Sequence, residues 1–582
     1  MLMKTATVRF AQLAAVALAS LAASPRATAQ TALAQTAPAW ASAHSTRDYL
    51  AGNMRHVLDA EGNVYEVGLF SVAANVGKTY LTSRGSYDGY LGKYNADGTV
   101  AWVRQFGSAG EDGAADVAFD AAGNAYVTGT FTQSIDLGNG LVLQGGPAPS
   151  RKVFLVKYDP AGTPLWAQQN DTYPGTRLPI CPPAATSLGV QVDGAGHVNV
   201  TCCYSYATDF GFGGLQPATP NPATARNLSV TKVYMARFSA TTGRPQALFP
   251  VLYATPANGS GLIFPQRLLT PPGGGTYLVT TYITAPSFTT GLSLAAPASP
   301  DVLVAKYSAA GQVEWARTFG GPDRDEATGA ATDAVGNLYV TGTYRQSLRF
   351  GTATLPGAGA EDGYLVKYSP DGQPQWAKAL AGPSADFLRG LCVDPAGNAY
   401  VTGSAGPNAH LGSTALAPMG QRDVVVAAYS PQGELSWLQQ AGGPDDDEGF
   451  ALGFTALGRL RVFGYTGRSA AFDALRVSNA YAWTGFVADL TSSPQAATAV
   501  AAPALEAARL EPFPNPATSE VHLSGVPAGT RVHVLDALGR VVRETVLTAA
   551  AVVSVHGLPP GFYMLRVTDA QGRPVVGRVT VD

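Results

Sequence analysis

The chain is poor in charge. Asp, Glu, Lys and Arg make up only 14% of its 582 residues, the net charge is −3, and no basic block occurs. Phosphate backbones are bound through clustered Lys and Arg, so nucleic acid is excluded as a partner class. Cysteine is scarce as well: Cys181, Cys202, Cys203 and Cys392 are the whole set. None of them forms a CxxC pair with zinc spacing. Cys392, in the apolar run "GLCVD", reads as a small core residue. Cys181 could pair with Cys202 or Cys203 if the chain leaves the cytoplasm. Past the N-terminal region no run of 18 or more apolar residues exists, so no membrane-spanning helix is expected. The seven histidines include no HExxH pair, and neither a GxSxG elbow nor a P-loop is present. No catalytic residue and no cofactor site is therefore assigned.

What the chain has in abundance is Gly (66) and Pro (41), with 46% hydrophobic residues. That balance suits many short strands joined by tight turns around a large core. The first residues read as an export signal. Lys4 and Arg9 precede the apolar stretch Phe10 to Ala23, and "ATA" at 27–29 fits small-x-small cleavage. Residues 1–29 are expected to be removed.

Nearly the same decapeptide recurs: "DAEGNVYEVG" from Asp59, "DAAGNAYVTG" from Asp120, "DAVGNLYVTG" from Asp333 and "DPAGNAYVTG" from Asp394. Asp bonds backbone amides at a turn, Gly takes positive φ and Asn tolerates a related conformation. The expected unit is a hairpin with Gly123–Asn124, Gly336–Asn337 and Gly397–Asn398 at its turns. Weaker copies place His197, a stretch near Gly275, and Arg459 in the same role, giving seven copies. Where the repeat is cleanest its period is 61 residues. A second landmark, an apolar run ending in an aromatic ("DGYLVKY"), also recurs. Eight residues after five of those aromatics comes a tryptophan: Trp102, Trp166, Trp315, Trp376 and Trp437.

Four strands per unit at this period are the mark of propeller blades. The third strands are almost continuously apolar, as sheets covered on both faces should be. The seventh unit ends near Leu490 with no tryptophan strand after it, while "PAWASAH" around Trp40 looks like an orphan fourth strand. Pairing the two would close the ring and remove an exposed edge. The expected fold is all-β: a seven-bladed propeller over 38–490, a linker at 491–507 and a small β-sandwich over 508–582.

The pattern "DGYLVKYSPDGQPQWAKAL … GLCVDPAGNAYVTGS" resembles the SBBP-type β-propeller repeat of secreted bacterial proteins, a family with no single activity. Blades three and four depart from it, and their strand register stays open. The tail resembles the C-terminal sorting domain of the type IX secretion system. The matching pieces are Pro514-Asn515-Pro516, the Asp536–Arg540 turn, Gly561-Phe562-Tyr563 and the terminal valine strand. That resemblance implies recognition by an outer-membrane translocon. It also implies a product that is secreted or held at the outer cell surface. The tail is expected to contribute nothing to propeller stability.

Acidic turns follow the tryptophan strands: Glu111 and Asp112; Asp323, Asp325 and Glu326; Asp445, Asp446, Asp447 and Glu448. The last group is a weak candidate for Ca²⁺. Paired carboxylates could also act as acid and base on a polysaccharide. Because such acids recur, capping of a solvated turn is the simpler reading. The periodic Lys93, Lys157, Lys306 and Lys367, with Arg237 in blade three, read as structural. The segments 173–183 and 202–214 break the repeat and are candidate binding loops for a glycan or protein. The rival is an enzyme in the central channel, favoured if non-periodic charges converge there. A Ca²⁺-stabilised surface protein is the third reading.

Overall fold

The computed structural model describes residues 38–491 and 512–581, apart from 46–54, 77–78, 146–151, 171–188, 206–230, 255–262, 479–483, 514–516, 524–525, 527–528, 536–540, 549–550, 569–573 and some single positions. The chain divides into two compact units, up to Ser493 and from Pro494. No helix is present among the described residues, and none long and apolar enough to cross a membrane.

Each decapeptide folds as its side chains dictate. In blade six, Asp394 Oδ1 accepts from the amides of Ala396 and Asn398, both at 2.9 Å, and Asn398 Nδ2 donates to Oδ2 at 2.8 Å. Gly397 sits between them at φ +85°. In blade three His197 Nδ1 replaces the Asn amide, 2.9 Å from Asp193. Gly397→Val forces a branched side chain into the left-handed region and should cost roughly 1–3 kcal/mol. Chemical denaturation of the variant checks this; an unchanged midpoint would remove the turn from the account.

Among the described residues, seven sheets each carry four core strands, all antiparallel. Blade six is typical: Phe387–Val393, Ala399–Ala405, Asp423–Tyr429 and Leu435–Ala441, from the inside outwards. Its second and third strands are buried along their whole length. Neighbouring blades cover both faces, which is why these strands lack polar alternation. The innermost strands neighbour one another in sequence from blade one to blade seven, and blade seven returns to blade one.

Closure is made by Trp40–Ser45, which pairs with Thr484–Leu490 as the fourth strand of blade seven. Blades three and four keep the register. They comprise Val190–Val192, His197–Ser205, Thr231–Ser239 and Pro245–Ala254, then Ile263–Leu269, Thr276–Tyr282, Asp301–Tyr307 and Val313–Phe319.

The repeat also codes the contacts between blades. Trp376 Nε1 and Lys367 Nζ of blade five both donate to the Pro431 carbonyl of blade six, at 3.0 and 2.9 Å. Trp315 and Lys306 do the same to Pro370, and Trp166 and Lys157 to Ala240. The lysines also lie over tyrosine rings, 4.9 Å for Lys367 over Tyr339. Blade three lacks the tryptophan. There Arg237 donates to Ala309 O at 2.9 Å while Phe249 fills the ring position.

One element was not anticipated from the sequence. A short hairpin sits between the second and third strands of several blades, as Ser347–Phe350 with Ala353–Pro356. It accounts for a period longer than four strands need. The hairpin His410–Leu411 with Thr414–Ala415 pairs onto the outer strand of the preceding blade, Pro374–Ala381. Part of that outer edge, which would otherwise offer unpaired backbone groups, is thus covered.

The C-terminal unit holds two sheets. One comprises Pro512–Phe513, Glu520–Leu523 and Val552–Ser554; the other comprises Arg531–Leu535, Val541–Val546, Gly561–Thr568 and Pro574–Val581. Val521, Leu523, Val532, Val534, Val553 and Leu565 form their shared core.

Candidate functional site: the central channel

The innermost strands meet around the axis and leave a cavity of about 420 Å³. Small residues let them approach. A Cβ on Gly390 would lie 3.0 Å from the Cα of Ala451 in the next blade. Five of these strands carry a bulge at the same level: Ala114/Asp116, Pro265/Arg267, Ala327/Gly329, Leu388/Gly390 and Gly449/Ala451. A bulge re-aims the extra residue. In blade six that residue is Arg389.

Charged residues of several blades converge here. Arg55 of blade one pairs with the buried Asp116 of blade two. Asp116 also accepts from Val190 N of blade three, 2.9 Å, and from its neighbour Val117 N, 2.8 Å. Arg267 of blade four donates to Thr328 O of blade five. Thr328 Oγ1 donates to Leu388 O of blade six at 2.5 Å, and Arg389 Nε lies 2.6 Å from Glu448 Oε1 of blade seven. Burial pushes the Asp116 carboxyl up, against the pull of Arg55 and the two amides. Burial, with Arg55 nearby and only partial relief from Asp116, pulls the Arg267 guanidinium down to about 9. Phe119, Phe450 and Phe454 line the same cavity and are half-buried.

A second non-periodic group lies where blade one meets blade seven. Glu66 is buried and accepts from the hydroxyls of Tyr90 and Tyr94. His56 Nε2 is 3.6 Å from Glu66, and its ring lies 4.2 Å from that of Phe463.

The acids singled out as calcium candidates go separate ways. Asp447 accepts from the amides of Gly443 and Gly467, Asp446 pairs with Arg422, Glu448 with Arg389, and Asp445 accepts from Arg468 N. No group of three or more possible ligands is gathered among the described residues. The expectation of a solvated turn needs correcting for one member of each set. Asp112, Asp325 and Asp447 are buried, as is Asp386 at the same place in blade six, because each ties a turn to the end of the second strand in its own sheet. Each interacts with the Asp that opens a neighbouring third strand: Asp88, Asp301, Asp362 and Asp423.

Cys392, read as a small core residue, packs against the core of the last blades. It lies half-buried on an innermost strand and lines the channel, with its thiol pushed up by burial. The candidate loop 173–183, Cys181 and most of 202–214 lie outside the described residues. The repeat pattern does not mark the channel arginines. The available signal was charge on strands whose counterparts read "GAAT" and "GLCV", and Glu66 in "VYEVG" where other repeats have "AYVTG".

Two family models agree with this architecture. The Beta-propeller repeat model (SBBP) matches residues 375–406, the fourth strand of blade five and the first two of blade six. The Secretion system C-terminal sorting domain matches residues 511–581. The chain thus carries an SBBP-type propeller repeat and a type IX sorting domain, and the latter marks it for export to the cell surface or beyond. A WD repeat-containing protein of Acanthamoeba polyphaga mimivirus is 24% identical over 390 residues, 56% of this chain and 27% of that relative. This chain therefore spans only about a quarter of that relative's length. Among solved structures, the Dos1 propeller is 9% identical, covering 78% of this chain and 95% of its own, with a TM-score of 0.37. The extracellular domain of a hybrid two component system from B. thetaiotaomicron is 10% identical, covering 90% and 72%, with a TM-score of 0.23.

Proposed function

We propose that this exported propeller is a binding protein without catalytic activity, and that its ligand is held in the central channel. The observation that carries the reading is the convergence of Arg55, Arg267 and Arg389 on the channel lining, with Asp116 and Glu448 paired behind them, on strands that are otherwise built of repeated small residues. Repeated residues have a sufficient reason in the latches between blades, whereas Arg55, Asp116 and Arg267 stand at the strand position that is Gly329, Gly390 and Ala451 in blades five to seven.

The same charges weigh against hydrolysis. Acid–base cleavage needs a carboxyl free to give or take a proton at the scissile bond. Asp116 is engaged by Arg55 and two amides, and Glu448 by Arg389. Held this way, both serve as fixed charges. Export by the type IX route puts the channel in contact with extracellular material, where glycans are abundant.

The test is a glycan array screened with the full exported chain and with Ala330→Trp, which fills the channel from a half-buried wall position. Binding by the parent chain that Ala330→Trp abolishes is the expected result. Binding that survives in the plugged variant would move the site to the outer loops. Turnover of a bound glycan would replace this reading with the enzymatic one.

A further inference from the structure

We propose that two junctions of the ring form a pH latch on the channel wall. One proton is held between Asp301 and Asp325, where blade four meets blade five, and another between Asp362 and Asp386, where blade five meets blade six. Their loss frees the starts of the innermost strands Glu326–Thr332 and Phe387–Val393. The latch goes beyond ligand binding and does not depend on what the channel takes.

Asp386 is fully buried. Its Oδ1 accepts from Gly406 N at 2.7 Å, and its Oδ2 has no hydrogen-bond partner among the described residues. Asp362, also fully buried, accepts from Ala358 N at 2.8 Å and from Gly382 N at 3.3 Å. A Cβ on Gly382 would lie 3.0 Å from Asp386 Oδ2, so both carboxyls close on one glycine. Asp325 repeats the arrangement. It is fully buried, its Oδ2 accepts from Gly321 N at 2.5 Å, and its Oδ1 has no partner among the described residues. The same holds for Asp301 Oδ1, and a Cβ on Gly320, next to Gly321, would strike that carboxyl. A buried carboxylate oxygen without a donor is costly, and a second ionised carboxyl beside it costs more. A proton on the orphaned oxygen removes both costs. Amides supply the other bonds, which suits a proton, whereas calcium takes about six or more oxygens.

Burial pushes Asp386 up to about 7 and Asp325 up to about 8; Asp362 and Asp301 add to the rise, while amides oppose it. His410 on the edge hairpin and Arg422 pull Asp386 down, and Asp323 pushes Asp325 up. Tyr344 and Tyr364, which also feel these acids, keep their protons because burial raises both hydroxyls. The lever is short. Asp386 N donates to Glu361 O and Asp325 N to Pro300 O, both at 2.8 Å, so each acid stitches a channel strand to the residue before a third strand. Three residues further on, Arg389 and Thr328 reach the next blade. Two negative charges in one junction push that stitch apart and loosen the wall behind it.

Hydrogen exchange of the full chain, read by mass spectrometry and corrected for the intrinsic rate, tests the latch. From about pH 6 to about pH 9, protection of residues 387–393 and 326–332 should fall roughly tenfold or more. Asp386→Asn should hold 387–393 level while 326–332 still falls. Infrared spectra of the parent chain should show a protonated carboxyl band at the lower pH that fades at the higher, and the band should be smaller in Asp386→Asn. If Asp386→Asn does not fold, Asp325→Asn carries the test with the two strands exchanged. No carboxyl band at the lower pH, or level protection in the parent chain, overturns the latch. So does an equal fall of 387–393 in Asp386→Asn. Protection restored at the higher pH by calcium chloride replaces the proton with a metal ion and overturns the latch as well.

Discussion

Trp40→Ala should lower the unfolding free energy by about 3–5 kcal/mol, and deletion of residues 38–45 should leave a ring that does not close. Trp40 is 5% exposed and is the large anchor of a six-residue strand. Its ring meets Phe472 edge-on at 4.9 Å, and its Nε1 donates to Gln440 O of blade six at 3.1 Å. Its amide donates to Asp473, which is also held by Gln439. Truncation opens a cavity among Phe472, Phe486 and Leu490 in the core shared by the last blades. Deletion adds the loss of the pairing with Thr484–Leu490 and bares a strand edge open to other chains. Urea unfolding measures the first effect and size-exclusion chromatography the second. A deletion variant that stays monomeric with an unchanged urea midpoint would show that the strand is dispensable.

Stability should fall as pH rises from 5 to 8.5, the reverse of common behaviour for an acidic protein. Burial pushes Asp325 up to about 8, Asp386 and Asp447 to about 7, and Asp301 to about 6. The neighbouring carboxylates of Asp301, Asp362 and Asp423 add to the rise, while backbone amides oppose it. His410 and Arg422 also pull Asp386 down. A carboxyl with a raised folded pKa keeps its proton in the native state after the unfolded chain has lost it. Its contribution is complete below the ordinary carboxylate range and is lost as pH climbs through the folded value. The loss therefore falls mainly between pH 5 and 8. The melting temperature at pH 5 should exceed that at pH 8.5 by roughly 5–10 °C. Asp386→Asn with Asp447→Asn should flatten the slope, since an amide oxygen still accepts from Gly406 and Gly467. A melting temperature that is level or rises over this range would defeat the account.

The glycines beside these carboxyls explain why the turns are so constrained. A Cβ on Gly442 would come 2.1 Å from Asp423 Oδ1, and one on Gly320 would come 2.3 Å from the Asp301 carboxyl carbon. The sequence shows the glycines and the acids but not that they touch, because the partners are about 20 residues apart.

What could be read in advance was whatever the repeat wrote many times. Turn glycines, latch tryptophans and the apolar third strands announce themselves by recurrence, and the orphan strand at Trp40 by its misplaced copy. The edge hairpins escaped notice because they are short and vary in composition; Ile135–Asp136 with Val142–Leu143 has two residues on each side. The channel escaped for the opposite reason. Arg55, Asp116 and Arg267 stand alone in their own repeats, and a single charge in a strand has no visible partner until the ring brings blades one, two and four together.

Closure by the first strand also sets an order in time. Ser45 must find Phe486 across more than 400 residues of intervening chain, and Trp40 must find Leu490. Blades one to six can each form as their own hairpins emerge, since their strands are consecutive. Blade seven cannot, because its outer strand was made first and has no partner until the last is finished. A chain cut short before Leu490 therefore holds an unspent strand at one end and an unfinished sheet at the other. The ring thus acts as a check on its own completeness, locking only when the whole propeller has been synthesised.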